Sequence, residues 1–348
     1  MSDQTSARGR LMAAEIADQP RAWRALLAER SSVAEVGAAV AARRPRFVQF
    51  VARGTSGHAA LYAKYLVEIR LGLPCGLASP STVTVYDGVP SGTDVLCIGV
   101  SQSGGSPDLV ATLDAARRAG ALTVAVTNDP TSPLAAAAEF QVDVHAGPER
   151  SVAATKTYTA EMLALYLLVA AWEGTDSAAA DVLPDLGDRV LGDSAPGELA
   201  QRYRFAQRLI ATGRGYSYAT AREAALKLME TSYVTAQGFS AADLMHGPLA
   251  TIDAQVPVLA VLPAGRGGEV MAPVLRSLAE RGADVVGVGD PERLTGLAGG
   301  VALPEGASEE LSPLLEIVPL QRLALQLALD RGEDPDTPRG LRKVTETL

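Results

Sequence analysis

Two short segments gather hydroxyls and bare backbone where a small anion could be held. "CIGVSQSGGSPD", residues 97–108, is an apolar run that stops at Ser101, Gln102, Ser103, Gly104, Gly105 and Ser106 before Pro107 and Asp108 open a helix. The first N–H groups of a helix have no intrahelical partner, and the helix dipole is positive at that end. Serine hydroxyls beside them make a phosphate cradle that needs no lysine. "ARGTSG", residues 52–57, closes an earlier apolar run in the same way with Thr55 and Ser56. Serine and glycine are also ordinary turn and N-cap residues, and a single such loop reads as readily that way. The occurrence of two favours phosphate. Neither a Walker lysine nor a GxGxxG pattern accompanies them, so a small phosphate ester fits better than a nucleotide.

A third segment, "EAALKLME", puts Glu223, Lys227 and Glu230 at i, i+4 and i+7, on one face of a helix. From the pattern alone this is a solvated stripe with ordinary ion pairs. His246 stands in "LMHGPLA", a loop bounded by Gly and Pro, and a lone histidine is commonly structural. Lys343, in "PRGLRKVTETL", has the position of a frayed surface charge. Yet of 31 basic residues only Lys64, Lys156, Lys227 and Lys343 are lysines. Arginine serves on a surface but cannot replace lysine as an amine nucleophile. Each surviving lysine therefore stands out, against the plain alternative of chance.

The elements that must position these residues alternate regularly. Apolar, β-rich runs occur at 46–54, 94–101, 122–129 and 140–147, with Ala-rich helical segments between them. Such alternation predicts a parallel sheet covered on both faces. A long helix is expected from about Thr155 to Trp172, and "EGTDSAAADVLPDLGD" after it reads as an interdomain connection. The pattern then restarts, with runs at 204–217, 256–263, 284–290 and 300–305. "RFVQFVARGTSGHAALYAKYLVE" and "RFAQRLIATGRGYSYATAREAALKLME" share a strand, an Arg-Gly turn and an Ala-rich helix, which implies an internal duplication.

Bulk properties set the frame. With 348 residues, 47% hydrophobic and 20% charged, the chain can bury two ordinary cores. A formal charge of −9 and the lack of a basic stripe argue against a nucleic-acid partner. No apolar run reaches membrane-spanning length, and the N-terminal residues lack an apolar signal core. Cys75 and Cys97 have no metal or redox spacing and read as free thiols in a reducing cytoplasm. His58, His145 and His246 are the only histidines, too few for a zinc site of several histidines. No metal, cofactor or membrane partner is expected.

Taken in order, "ARGTSGHAA", "DVLCIGVSQSGGSPD", "HAGPERSVAATKTYT", "GRGYSYATAREAALKLMETSYVTAQGFSAADLMHGPLATID" and "DPDTPRGLRKVTETL" resemble the sugar isomerase (SIS) domains of glucosamine-6-phosphate synthase. The resemblance implies an α/β fold of two tandem SIS domains, each a flavodoxin-like α/β/α sandwich around a parallel sheet. Residues 1–190 would hold an N-terminal helical segment and the first domain. Residues 191–348 would hold the second domain and a C-terminal tail. The synthase carries a glutaminase with a cysteine after the initiator methionine. This sequence has Met1-Ser2 and reaches SIS sequence within a few dozen residues, so no glutaminase activity is expected. "ASPSTVTVYD" and "ERSVAATK" look closer to the stand-alone two-SIS amino-sugar phosphate deaminases.

Carried over by residue, the resemblance implies that Ser56, Ser101, Gln102, Ser103 and Ser106 hold a sugar phosphate, with Thr55 beside them. The backbone at Val152 and Ala153 would face the sugar. Ala154 stands where the synthase pattern has a serine, which leaves the substrate's ring substituents open. Glu230 matches the family's base for the C1–C2 proton shuttle and Lys227 its neighbour. One carboxylate reaching both carbons can move that proton, and an ammonium can stabilise the enolate-like charge. His246 matches the ring-opening histidine, which in the synthase comes from the neighbouring subunit, so a homodimer is expected. Lys343 matches the tail lysine that forms a Schiff base with the ketose. Lys156 would order the loop before it, and Lys64 would be structural.

The expected reaction is deamination and isomerisation of glucosamine 6-phosphate to fructose 6-phosphate and ammonia. An N-acetylated substrate would instead lose its C3 hydroxyl after C2 deprotonation, which is a dehydration. Deglycation of a fructosamine phosphate is a third ending. A sensor that binds a sugar phosphate without catalysis is a further class, but such proteins usually carry a DNA-binding domain or need no catalytic groups.

Overall fold

A computed structural model of the chain describes residues 8–90 and 92–343. It divides into two compact units. One comprises residues 21–149, 156–181 and, of the described residues, 342 and 343. The other comprises 8–20, 150–155 and 182–341.

The first unit is built on five parallel strands: β1 (Phe47–Val51), β2 (Cys75–Leu77), β3 (Val95–Ser101), β4 (Leu122–Thr127) and β5 (Phe140–Asp143). Their order is β2-β1-β3-β4-β5, with Val51 opposite Gly99 and Ser101 opposite Thr127. β3 and β4 are buried almost throughout, as parallel strands covered on both faces must be. The helices Gly54–Leu66, Pro107–Arg118 and Lys156–Glu173 flank the sheet. The last of them is mostly apolar and almost wholly buried, Lys156 and Glu161 included.

The second unit repeats this plan. Its strands are β6 (Arg208–Gly213), β7 (Thr235–Ser240), β8 (Val258–Leu262), β9 (Val285–Gly289) and β10 (Gly299–Ala302), in the order β7-β6-β8-β9-β10 and again all parallel. The helices Ser217–Ser232 and Ser312–Asp330 pack against each other. Both halves are thus α/β sandwiches of one topology, as expected. In each the second strand in sequence is an edge strand that hydrophobic patterning does not reveal. "CGL" is too short and "TAQGFS" too polar to stand out.

The stretch read as an interdomain connection contains the point, between residues 181 and 182, where the chain passes from one unit to the other. It folds into a short 3₁₀ turn (Ala178–Val182) and a helix (Leu183–Leu191) that buries Leu183, Leu186 and Val190 on one face. The helix Arg10–Ala17, expected to go with the first domain, belongs to the second unit. Its first N–H groups need acceptors, and Asp336 provides them. Leu11 N donates to Asp336 Oδ2 at 2.9 Å and Met12 N to Oδ1 at 2.9 Å, while Gly9 N donates to Asp334 Oδ1 at 3.2 Å. Among the described residues no helix is long and apolar enough to cross a membrane.

Candidate functional site

In the first unit the strand order reverses between β1 and β3. In an open parallel sheet a ligand binds outside the carboxyl ends of the strands at such a switch point. The two hydroxyl-rich loops occupy this place. The first is the start of the Gly54–Leu66 helix, the second the 102–106 loop ahead of the Pro107–Arg118 helix. Gly104 has φ +59°, and a Cβ there would lie 2.1 Å from Ser132 Oγ, so only glycine fits. Ser101 Oγ accepts from Gly104 N at 3.2 Å and Ser103 Oγ from Gly105 N at 3.3 Å. A hydroxyl that accepts from its own loop keeps its hydrogen to donate, which is what a phosphate oxygen requires. Arg53, just before the first loop, donates to Asp108 Oδ2 from Nε at 3.0 Å and Nη2 at 2.8 Å. Asp108 is buried in the first turn of the second helix, so this fork ties the two loops and neutralises a carboxylate that would repel an anion.

Ser56 behaves differently from its neighbours. Its hydroxyl donates to the buried Glu161 at 2.9 Å. The same pairing recurs in the second unit, where Ser217 Oγ donates to Glu316 Oε1 at 2.8 Å. Ser312 and Thr220 add donors to Glu316 at 2.8 and 2.7 Å. Burial pushes the Glu316 carboxyl up to about 7, against the lowering effect of these hydroxyls. The hydroxyl–carboxylate pair is therefore a feature of the repeated scaffold.

Lys343 also lies in the first unit. Its Nζ donates to Glu149 Oε2 at 3.2 Å, and the Glu149 carboxylate is fully buried. Glu149 Oε1 accepts from Thr157 N at 3.2 Å, in the first turn of the Lys156–Glu173 helix. Lys156 is 3% exposed at the start of that helix. The frayed surface charge of the plain reading is instead a lysine paired with a buried acid. Lys64 makes an ion pair at 2.5 Å with Glu68, in the π-helical turn Val67–Leu71 that continues its helix.

In the second unit the acid–lysine–acid stripe of the Ser217–Ser232 helix is not solvated. Glu223 and Lys227 are completely buried and Glu230 is 22% exposed. Lys227 Nζ lies 2.5 Å from Glu230 Oε2 and 3.3 Å from Glu223 Oε1. Burial penalises the ammonium, but the two carboxylates outweigh it and hold the Lys227 pKa well above its ordinary value. Lys227 is thus a fixed positive charge and no free-amine nucleophile. His246 caps the short helix Ala241–Met245 and is exposed, followed by Gly247 at φ +131°. Val152 and Ala153 lie in the irregular 150–155 segment, Val152 half-buried and Ala153 buried.

The structure brings Glu230 and Lys227 into contact in one unit and places Thr55, Ser56, Ser101, Gln102, Ser103 and Ser106 on adjoining loops in the other. Sequence reasoning missed Asp108, Glu149 and the burial of Glu223. A single acid in a loop or a helix start carries no local signal of what it will meet. Among the described residues no group of three or more His, Cys, Asp or Glu could hold a metal ion.

The SIS domain matches residues 43–171 and 203–292. Glutamine–fructose-6-phosphate aminotransferase (isomerizing) of Thermococcus kodakarensis is 36% identical over 345 residues, covering 95% of this chain and 57% of that protein. The chain spans little more than half the length of the curated relatives it matches. A candidate phosphosugar isomerase of Silicibacter pomeroyi superposes with a TM-score of 0.86 at 36% identity, covering 94% of this chain and 99% of the other. The C-terminal domain of glucosamine-fructose-6-phosphate aminotransferase from Francisella tularensis does so with a TM-score of 0.82 at 26% identity, covering 97% and 100%. The match in both halves and the shared topology of their sheets lead to one assignment: the chain belongs to the SIS-domain family.

Proposed function

We propose that the chain is a phosphosugar enzyme that moves a proton between C2 and C1 of a 6-phosphorylated amino sugar, converting glucosamine 6-phosphate to fructose 6-phosphate and ammonia. The observation that carries this reading is the burial of Lys227 between two carboxylates, with Glu230 at the solvent end of the group. A charge triad is costly to bury, and a surface stripe has no need of it. The relatives' names support phosphosugar chemistry in general.

Ser101, Gln102, Ser103 and Ser106, with Thr55, hold the phosphate, while Ser56, whose hydroxyl hydrogen goes to Glu161, serves the scaffold beside them. His246 moves a proton between O1 and the ring oxygen and opens the ring. Glu230 takes the proton from C2, leaving an enolamine, and returns it at C1. The C2 nitrogen is then a ketimine; water adds to C2 and ammonia leaves. The fixed charge on Lys227, paired with Glu230, stabilises negative charge as it develops. Lys343 is a second cation for that purpose, and Val152 and Ala153 border the sugar. The exposure of His246 suits donation to a neighbouring subunit of a homodimer.

The test is to incubate the protein separately with glucosamine 6-phosphate and N-acetylglucosamine 6-phosphate in deuterated water, following ammonia, product mass and C2 exchange. Ammonia, fructose 6-phosphate and C2 exchange with the first substrate are expected. Loss of water from the second would replace deamination with dehydration. No exchange with either would end the enzyme reading.

A further inference from the structure

The 150–155 segment has no regular secondary structure, so its backbone groups must find partners outside any ladder. Both of its ends are held by buried side chains of its own unit. At the start, Glu15 on the Arg10–Ala17 helix accepts from Arg150 N through Oε1. It also accepts from Ser151 N, with both carboxylate oxygens at 3.2 Å. At the end, Gln321 Nε2 donates to Thr155 O at 3.3 Å. Gln321 is itself oriented, because its Oε1 accepts from Gln19 Nε2 at 2.9 Å, and that same nitrogen donates to Ile16 O at 3.0 Å. Gln19 and Gln321 are fully buried and Glu15 is 6% exposed.

We infer that Glu15, Gln19 and Gln321 are positioning residues that fix the turn at Val152 and Ala153. This inference rests on the function proposed above, in which that turn borders the sugar. The chemistry of the two grips is complementary. A carboxylate offers only acceptors and suits two successive N–H groups. A carboxamide offers a donor, and the Gln19 hydrogen bond decides which end of Gln321 faces the Thr155 carbonyl. Between the two grips the Val152–Ala154 backbone is a short span with both ends set. Placement at this level matters for catalysis, since a displacement of ~1 Å in a group that orients substrate costs about 10²-fold in rate. None of the three residues need touch the substrate. Each acts through the backbone it holds.

Two variants test this, Glu15→Gln and Gln321→Leu. Glu15→Gln replaces one acceptor with an NH₂ that faces an N–H, and Gln321→Leu removes the donor at the other end. Three quantities are read for each: hydrogen–deuterium exchange of amides 150–155, affinity for glucosamine 6-phosphate, and affinity for inorganic phosphate. Faster exchange in the segment is expected, with glucosamine 6-phosphate bound at least tenfold more weakly and inorganic phosphate bound within twofold of wild type. Unchanged exchange in both variants overturns the clamp. Faster exchange with sugar phosphate affinity unchanged overturns the positioning role. Equal weakening of both ligands overturns it too, because a general loss of structure is then the cause. If either variant fails to fold, the other carries the test. Should the wild type bind phosphate but not glucosamine 6-phosphate, the substrate assignment falls, and the exchange measurement still decides the clamp.

Discussion

The two sheets have one topology and different loops at the place where a ligand would bind. After β3 the first unit has "SQSGGS", in which the Ser101 and Ser103 oxygens accept from loop amides. After β8 the second has "PAGRGGE", and there the chain supplies its own anion. Glu309 Oε2 accepts from Arg266 N at 2.9 Å and Oε1 from Gly267 N at 2.6 Å. The helices that follow the first strand of each sheet differ too. Gly54–Leu66 opens with small residues, whereas Ser217–Ser232 carries Glu223, Lys227 and Glu230. The scaffold is duplicated down to the Ser56–Glu161 and Ser217–Glu316 pairs, but the chemistry is not. Duplication here supplies two frames, and in the proposed function one holds the phosphate while the other moves the proton.

That division can be broken most sharply at Glu230. Glu230→Gln is nearly isosteric and should lower turnover and C2 exchange by about 10²–10⁴-fold, the usual worth of general acid–base catalysis. Phosphate affinity should not change, because the cradle is in the other half. Isotope exchange and calorimetry on the same sample test both statements, and a fall in phosphate affinity would undo the division of labour.

The converse experiment targets the cradle. Ser101→Ala with Ser103→Ala should weaken binding of sugar phosphate by about 3 kcal/mol or more, since each charge-assisted hydrogen bond is worth about 1.5–3 kcal/mol. Unphosphorylated glucosamine should bind equally poorly to wild type and variant. If the double variant binds the phosphate ester as well as wild type does, the ligand is held elsewhere.

A third test uses the shared hydroxyl–carboxylate pair. The folded Glu316 pKa of about 7 stands above its ordinary 4.5, so the folded state holds this proton more tightly than the unfolded chain does. Its contribution to stability is complete below the ordinary value and is lost as pH rises through about 7, amounting to about 3 kcal/mol. Denaturant unfolding at pH 5 and pH 8 should show that loss in wild type and a much flatter profile in Glu316→Gln. Identical profiles would mean the three hydroxyls fully compensate for burial.

The smallest effect is expected at Glu309. Glu309→Ala should cost about 1 kcal/mol of stability, as loss of a helix cap does, with sugar phosphate binding at the first unit unchanged. Wild type should take up one phosphate ester per chain by calorimetry, and two per chain would show that the second sheet also binds.

How much of this was legible in the sequence follows from the range of each signal. The six inner strands were readable because buried parallel strands are continuous apolar runs, and the edge strands β5 and β10 because each still carries a short apolar run. The other two edge strands, β2 and β7, were not, because one is only three residues long and the other is polar. The hydroxyl-rich loops were visible because strand end, glycines and helix start are adjacent in the chain. The Glu223–Lys227–Glu230 stripe was visible as a spacing but not as a buried triad. A charged face looks the same in sequence whether water or protein covers it. Glu149 was passed over because its partner Lys343 is 194 residues away. Asp108 was read only as a helix opener, since its pairing with Arg53 depends on β1 and β3 being neighbours.

The clasp between residues 9–12 and Asp334 and Asp336 sets an order of events for a chain made from one end. The helix Arg10–Ala17 receives its N-terminal acceptors from residues 324 and 325 positions later. At ribosomal rates of about 5–20 residues per second the wait is on the order of tens of seconds. Through that time Met12 and Ile16, both buried in the finished unit, have no completed surface to rest on. The helix Arg10–Ala17 is therefore a late guest in its own fold. Until residues 334–336 emerge the nascent protein carries an uncovered apolar face, which is the kind of surface chaperones exist to shield.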